Sequence, residues 1–252
     1  MNGTNGSGNG TNGSGHHHDD DDDDNVVALP TLAERDKMRR EARKEAERIM
    51  RKREPMIRMP EATKYMLGTF VVIHILLALL PALREWTILN LGFVPASFTG
   101  GAPFTIYTLI TPLTYMLIHG SWLHLAMNGF MMAAFGSGVE KWLGAKRMIF
   151  FFVMCSLCGI ALHFVAYSSS MNPVVGASGG LSGMFAAALV MLNSNAGPGN
   201  MRQRILPFAL LWIGISLLFG LMGGPDGSSI AWVAHIGGFL GGFLVLKGMK
   251  VF

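Results

Sequence analysis

Residues 174–185 read Val-Val-Gly-Ala-Ser-Gly-Gly-Leu-Ser-Gly-Met-Phe (VVGASGGLSGMF), with Gly-x-Ser-Gly at 176–179 and again at 180–183. Serine between glycines is a setting that suits a nucleophile, yet the stretch lies inside a long apolar run. Small residues four apart are also how two helices approach closely in lipid. Gly176/Gly180 and Gly179/Gly183 have that spacing, and so do Gly237/Gly241 and Gly238/Gly242 near the C-terminus. The stretch asks for a tightly packed helical bundle in a bilayer, and for a reason why serines stand in it.

Composition supports the bilayer. The chain is 50% hydrophobic and 14% charged, with a mean hydropathy of +0.39, against about 25% charged residues in a soluble protein. From Tyr65 to Phe252 the charged residues other than histidine are Arg84, Glu85, Glu140, Lys141, Lys146, Arg147, Arg202, Arg204, Asp226, Lys247 and Lys250. That is a polytopic membrane protein, and its net charge of +4 reflects topology and implies no nucleic acid. Cys155 and Cys158 sit in an apolar helical stretch without a second pair, so they read as packing residues.

Three regions follow. Residues 1–30 begin with a low-complexity run of Asn-Gly-Thr/Ser repeats, three histidines and six aspartates. This composition builds no core and reads as a disordered tail or a tag. Residues 31–64 are rich in Ala, Glu, Lys and Arg and read as a charged cytosolic helical segment, with Thr31 and Glu34 spaced as a capping box. Basic residues there would also be drawn to anionic lipid headgroups. Residues 65–252 hold six apolar segments near 65–83, 107–135, 146–167, 175–193, 205–222 and 230–247, each close to the roughly 20 residues a helix needs to span. With the N-terminus cytosolic, every lysine and arginine except Arg84 falls on the cytosolic side. The positive-inside rule then puts both termini in the cytosol.

In that orientation the second, fourth and sixth helices all begin at the outer face. Their outer halves carry the polar residues that stand out: His119, His124 and Asn128, then Ser178 and Ser182, then His235. Residues distant in sequence thus share one depth. Serine needs a base to become a nucleophile, and histidine supplies one near neutral pH. Ser178, just after Pro173, falls in the first turn of its helix, where free N–H groups and the dipole favour an anion. His124 and Asn128, four apart, share a face and can both donate to an oxyanion. His119 is about 140° around the helix from His124 at 100° per residue, so a hydrogen bond to a loop or contact with water suits it better. With Glu85, Glu140 and Asp226 assigned to loops, a Ser–His pair fits better than a triad. No zinc pattern is present, and no metal or cofactor is implied.

HGSWLHLAMN (119–128), GASGGLSG (176–183) and AHIGGFLGG (234–242), with VEKWLG (139–144), resemble the signature regions of rhomboid intramembrane serine proteases, in the family's order from about residue 65 to 252. The resemblance implies an all-α, six-transmembrane-helix bundle with Ser178 as nucleophile and His235 as general base and then acid. The oxyanion would be held by the Ser178 backbone N–H with His124 and Asn128, and His119, Gly176 and Gly179 would support the site. It further implies transmembrane protein substrates that enter laterally and unwind, and water reaching the site from the outer face. Two positions depart from the family. Tyr107-Thr108 stands near where a Trp-Arg pair is common, and Ser182 stands where an aromatic residue often packs on the histidine.

Other readings compete. Ser182 alone reads as packing, and His74 and His163, placed mid-span, as interhelical hydrogen bonders. An inactive rhomboid-like protein that binds transmembrane clients would be expected to have lost Ser178 or His235. A transporter would want its polar groups nearer the midplane. The first outer loop, Arg84 to Phe104, carries Trp86, Phe93, Phe98 and Phe104 and is expected to lie partly submerged. The default location is a bacterial plasma membrane.

Overall fold

The computed structural model describes residues 31–53, 59–194, 200–223 and 231–251; the tail 1–30 lies outside them, as do residues 195–199 and 224–230 of two expected turns. Every regular element described is helical, apart from an isolated antiparallel bridge between Phe93 and Val174.

The described residues fall into two compact units, divided between positions 56 and 57. The first contains α1 (Leu32–Arg53), a polar helix. The capping box is present: Thr31 N–H donates to Glu34 Oε2 at 2.8 Å, and Glu34 N–H donates to Thr31 Oγ1 at 3.3 Å. Hydrogen bonds from Thr31 hold the Glu34 carboxyl below its ordinary pKa.

The second unit contains α2 (Glu61–Leu79), α3 (Pro81–Leu91), α4 (Thr111–Thr114), α5 (Trp122–Met131), α6 (Ser137–Leu143), α7 (Ala145–Ala166), α8 (Ser178–Ser194), α9 (Met201–Met222) and α10 (Trp232–Gly248). α2, α7 and α9 are long and apolar enough to cross a membrane. α8 and α10 are apolar but have 17 residues each, about 26 Å at 1.5 Å per residue. This is an integral membrane protein with a helical core. In lipid, backbone groups must pair within the protein, so irregular chain at membrane depth survives only beside a cavity or inside protein. The non-helical lead-in to α8 fits that rule, because it lines the cavity described below.

Several sequence expectations need correction. The second apolar segment, expected at 107–135, is not one helix. Short 3-10 turns and α4 occupy 106–117, the chain is non-helical at 118–121, and the helix starts only at Trp122. It then runs through a π-helical turn (Met132–Gly136) into α6. Pro112 and the Ser121 cap punctuate a largely apolar stretch. The segment expected as the first outer loop is partly helical, since Pro81 at the first position starts α3 directly after α2, as its fixed φ favours.

Glu140 is not in a loop. It is buried on α6 and caps α2: its carboxyl oxygens accept from Ala62 N–H at 2.9 Å, Thr63 N–H at 2.7 Å and Thr63 Oγ1 at 2.7 Å. Free N–H groups at a helix start need such a partner when buried.

α7, α8 and α10 form the tight centre, and glycine faces explain the distances. Gly179 and Gly183 of α8 meet Gly238 and Gly242 of α10; a Cβ on Gly242 would lie 2.8 Å from the Gly183 carbonyl oxygen. Gly180 faces Phe152 and Ser156 of α7, and Gly237 faces Gly159 and Leu162 of α7. Each of α8 and α10 therefore uses two glycine faces against two neighbours. Gly176 is the exception to the spacing argument. It precedes α8, with φ +121°, a backbone conformation rather than a packing position.

Candidate active site

α8 opens at Ser178, and α10 brings His235 into its own first turn. Because the glycine faces let these helices touch, Ser178 Oγ and His235 Nε2 stand 2.8 Å apart. Both residues are half-buried and line a cavity of about 510 Å³, within the roughly 300–1,000 Å³ usual for ligand sites.

The segment before Ser178 is fixed on two sides. Gly176 N–H donates to the Tyr115 carbonyl at 2.9 Å, and the Tyr115 hydroxyl donates to the Ser156 carbonyl at 2.7 Å. Phe93 and Val174 exchange backbone hydrogen bonds at 2.8 and 2.9 Å. The chain thus arrives at α8 with its direction set, and the N–H groups of the first turn have no intrahelical acceptor.

α5 supplies the opposite wall. Ser121 is its N-cap, accepting from His124 N–H at 3.1 Å. The His124 ring lies against Gly176, where an added Cβ would be 2.6 Å from Nε2. Asn128, one turn on, is buried, and its Nδ2 has no hydrogen-bond partner. An unpaired buried donor is costly, and this residue lines the cavity beside Ser178.

Two of the other histidines, His119 and His163, lie elsewhere on their elements than expected. His119 lies in the non-helical turn before α5, not on it, and is buried with its ring 5.3 Å from both Phe70 and His124. Among the described residues neither of its ring nitrogens has a hydrogen-bond partner. His163 is not mid-span: it sits in the last turn of α7 and lines the same cavity as Ser178 and His235. His74 packs edge-on against Trp122 at 4.5 Å, at the start of α5. Its Nδ1 is unpartnered, as is that of His163.

Ser182 is fully buried and donates to the Ser178 carbonyl at 2.7 Å. The ring nearest His235 belongs instead to Trp212 of α9, with centroids 6.5 Å apart. Trp86 meets Tyr107 edge-on at 5.3 Å, so an aromatic pair does brace the segment between α3 and α4. Sequence reading missed Tyr115, Trp212 and the place of His163. Trp212 and Tyr115 carry no signal beyond being aromatic in apolar runs.

A family profile described as the Rhomboid domain matches residues 103–249, more than half of the chain. The protein belongs to the rhomboid family. RHOMBOID-like protein 7 of Arabidopsis thaliana is 30% identical over 133 residues, covering 53% of this chain and 40% of that protein. RHOMBOID-like protein 6, mitochondrial, from the same plant is 33% identical over 131 residues, covering 52% and 40%. Rhomboid protease GluP of Bacillus subtilis is 30% identical over 143 residues, covering 57% of this chain and 26% of the relative. The matched region is less than half the length of these relatives.

Proposed function

We propose that this protein is an intramembrane serine endopeptidase that cleaves transmembrane segments of other membrane proteins. The observation that carries the reading is the 2.8 Å contact between Ser178 Oγ and His235 Nε2 on the wall of a cavity. Family membership and the likeness to a named protease support it.

In this reading His235 Nε2 takes the Ser178 proton as Oγ attacks the substrate carbonyl carbon. The carbonyl oxygen becomes an oxyanion, and the Ser178 N–H, His124 and Asn128 Nδ2 receive it. His235 then gives its proton to the leaving amine, the C–N bond breaks, and an ester to Ser178 remains. Water deprotonated by His235 hydrolyses that ester. Donors already aimed at the developing charge need no reorganisation during the reaction. A helical peptide bond is shielded by its own hydrogen bonds, so the substrate must unwind where the cavity admits it.

The charge distribution supports both termini in the cytosol and a site near the outer face, in a bacterial plasma membrane by default. Residues 31–64 form the cytosolic helical segment of this reading, and residues 65–252 the membrane domain. The direct test is labelling by a fluorophosphonate, followed by mass spectrometry of the modified peptide. Modification at Ser178 that disappears in His235→Ala supports the pair. Intact protein that stays unlabelled under all conditions favours a client-binding role.

A further inference from the structure

We infer that Arg84 is a positioning residue for the oxyanion-binding helix α5, an inference that rests on the protease reading above. Arg84 is the sole lysine or arginine that the charge distribution leaves on the outer side. Its side chain is half-buried, and its Nη2 donates to the carbonyl of Gly120, 36 residues later. Two general effects oppose a cation there. The positive-inside rule disfavours it on that face, and the helix dipole disfavours it near the start of α5. A guanidinium bound to a carbonyl in a place of low dielectric is a strong hydrogen bond that offsets both.

The carbonyl it holds is well chosen. Gly120 directly precedes Ser121, the N-cap whose hydroxyl accepts from His124 N–H. Asn128 follows one turn later on the same helix. Arg84 therefore fixes the start of the helix that carries both side-chain donors. The same outer segment reaches the other half of the site. α3 accepts at its Leu91 carbonyl from Thr114 Oγ1 at 2.6 Å, and Phe93 just beyond pairs with Val174, four residues before Ser178. α3 and the segment that follows it thus tie the donors to the nucleophile, and Arg84 is the tie on the donor side. Misplacement of a catalytic group by about 1 Å costs up to about 10²-fold in rate.

The test is a double-mutant cycle on the full chain in proteoliposomes with a transmembrane substrate. Arg84→Gln is expected to lower kcat roughly 10- to 100-fold, with KM changed less than about twofold. In an Asn128→Ala background the same replacement should cost less than about threefold, because the element it positions is already disabled. Arg84→Lys, which keeps the charge but loses the planar fork, should fall between the two. If Arg84→Gln fails to fold, Arg84→Lys runs through the same cycle. Unchanged kcat in Arg84→Gln, or the same fold-loss in both backgrounds, overturns the inference and leaves the protease reading standing. Wild type that cleaves no better than Ser178→Ala overturns both.

Discussion

The carbonyl oxygen of Gly179 on α8 presses on Gly238 of α10 so closely that a Cβ at 238 would collide with it. This contact lies within three residues of both Ser178 and His235, and it helps to hold them at hydrogen-bond distance. Gly238→Ala is expected to part α8 from α10, abolish cleavage and destabilise the fold by about 1–3 kcal/mol, the usual cost of overpacking. Turnover per folded molecule, read beside the thermal midpoint in detergent, checks it. Retained activity would remove the glycine contact from the explanation of the site.

Asn128 has a buried, unpartnered Nδ2 on the cavity wall. Its hydrogen bond should matter mainly in the transition state. Asn128→Ala is expected to lower kcat by about 10²–10³, or about 2.7–4 kcal/mol, with little change in KM. Steady-state kinetics decide this, and equal losses in binding and turnover would argue against the oxyanion role.

Gly176 has φ +121°, and a side chain there would meet His124 Nε2 at 2.6 Å. Gly176→Ala should combine backbone strain of about 1–3 kcal/mol with displacement of the His124 ring. Cleavage should fall much further than stability. The comparison is kcat against the unfolding midpoint of the same preparation.

Glu140 accepts three hydrogen bonds from the first turn of α2, at the end of the bundle away from Ser178. Glu140→Ala leaves buried donors unpaired, at a cost of about 3 kcal/mol. Unfolding in detergent should show the loss, while the folded fraction keeps its specific activity. A fall in specific activity at unchanged stability would contradict a purely structural role.

The sequence made the convergence of Ser178, His235, His124 and Asn128 readable, because helix direction and depth are set by alternation of loops and charge. It did not reveal where helices begin. Residues 106–117 are apolar, so only the Ser121 cap and Pro112 hint that α5 starts at Trp122. Glu140 looked like a loop residue because a lone acid beside a lysine usually is one; its partners on α2 lie some 77 residues away and leave no local trace. Gly176 shared the spacing of a packing face, and only its positive φ separates it from Gly180. His163 was misplaced because a uniformly apolar helix gives no sign of how close a residue is to its end.

The most direct measurement is cleavage of a model transmembrane substrate in proteoliposomes by wild type, Ser178→Ala and Ser182→Ala. Ser178 Oγ faces His235 Nε2, while Ser182 Oγ is spent on the Ser178 carbonyl. Wild type should cleave, Ser178→Ala should not, and Ser182→Ala should retain activity within a few-fold. Cleavage that survives in Ser178→Ala and is lost in Ser182→Ala would contradict the assignment of the nucleophile.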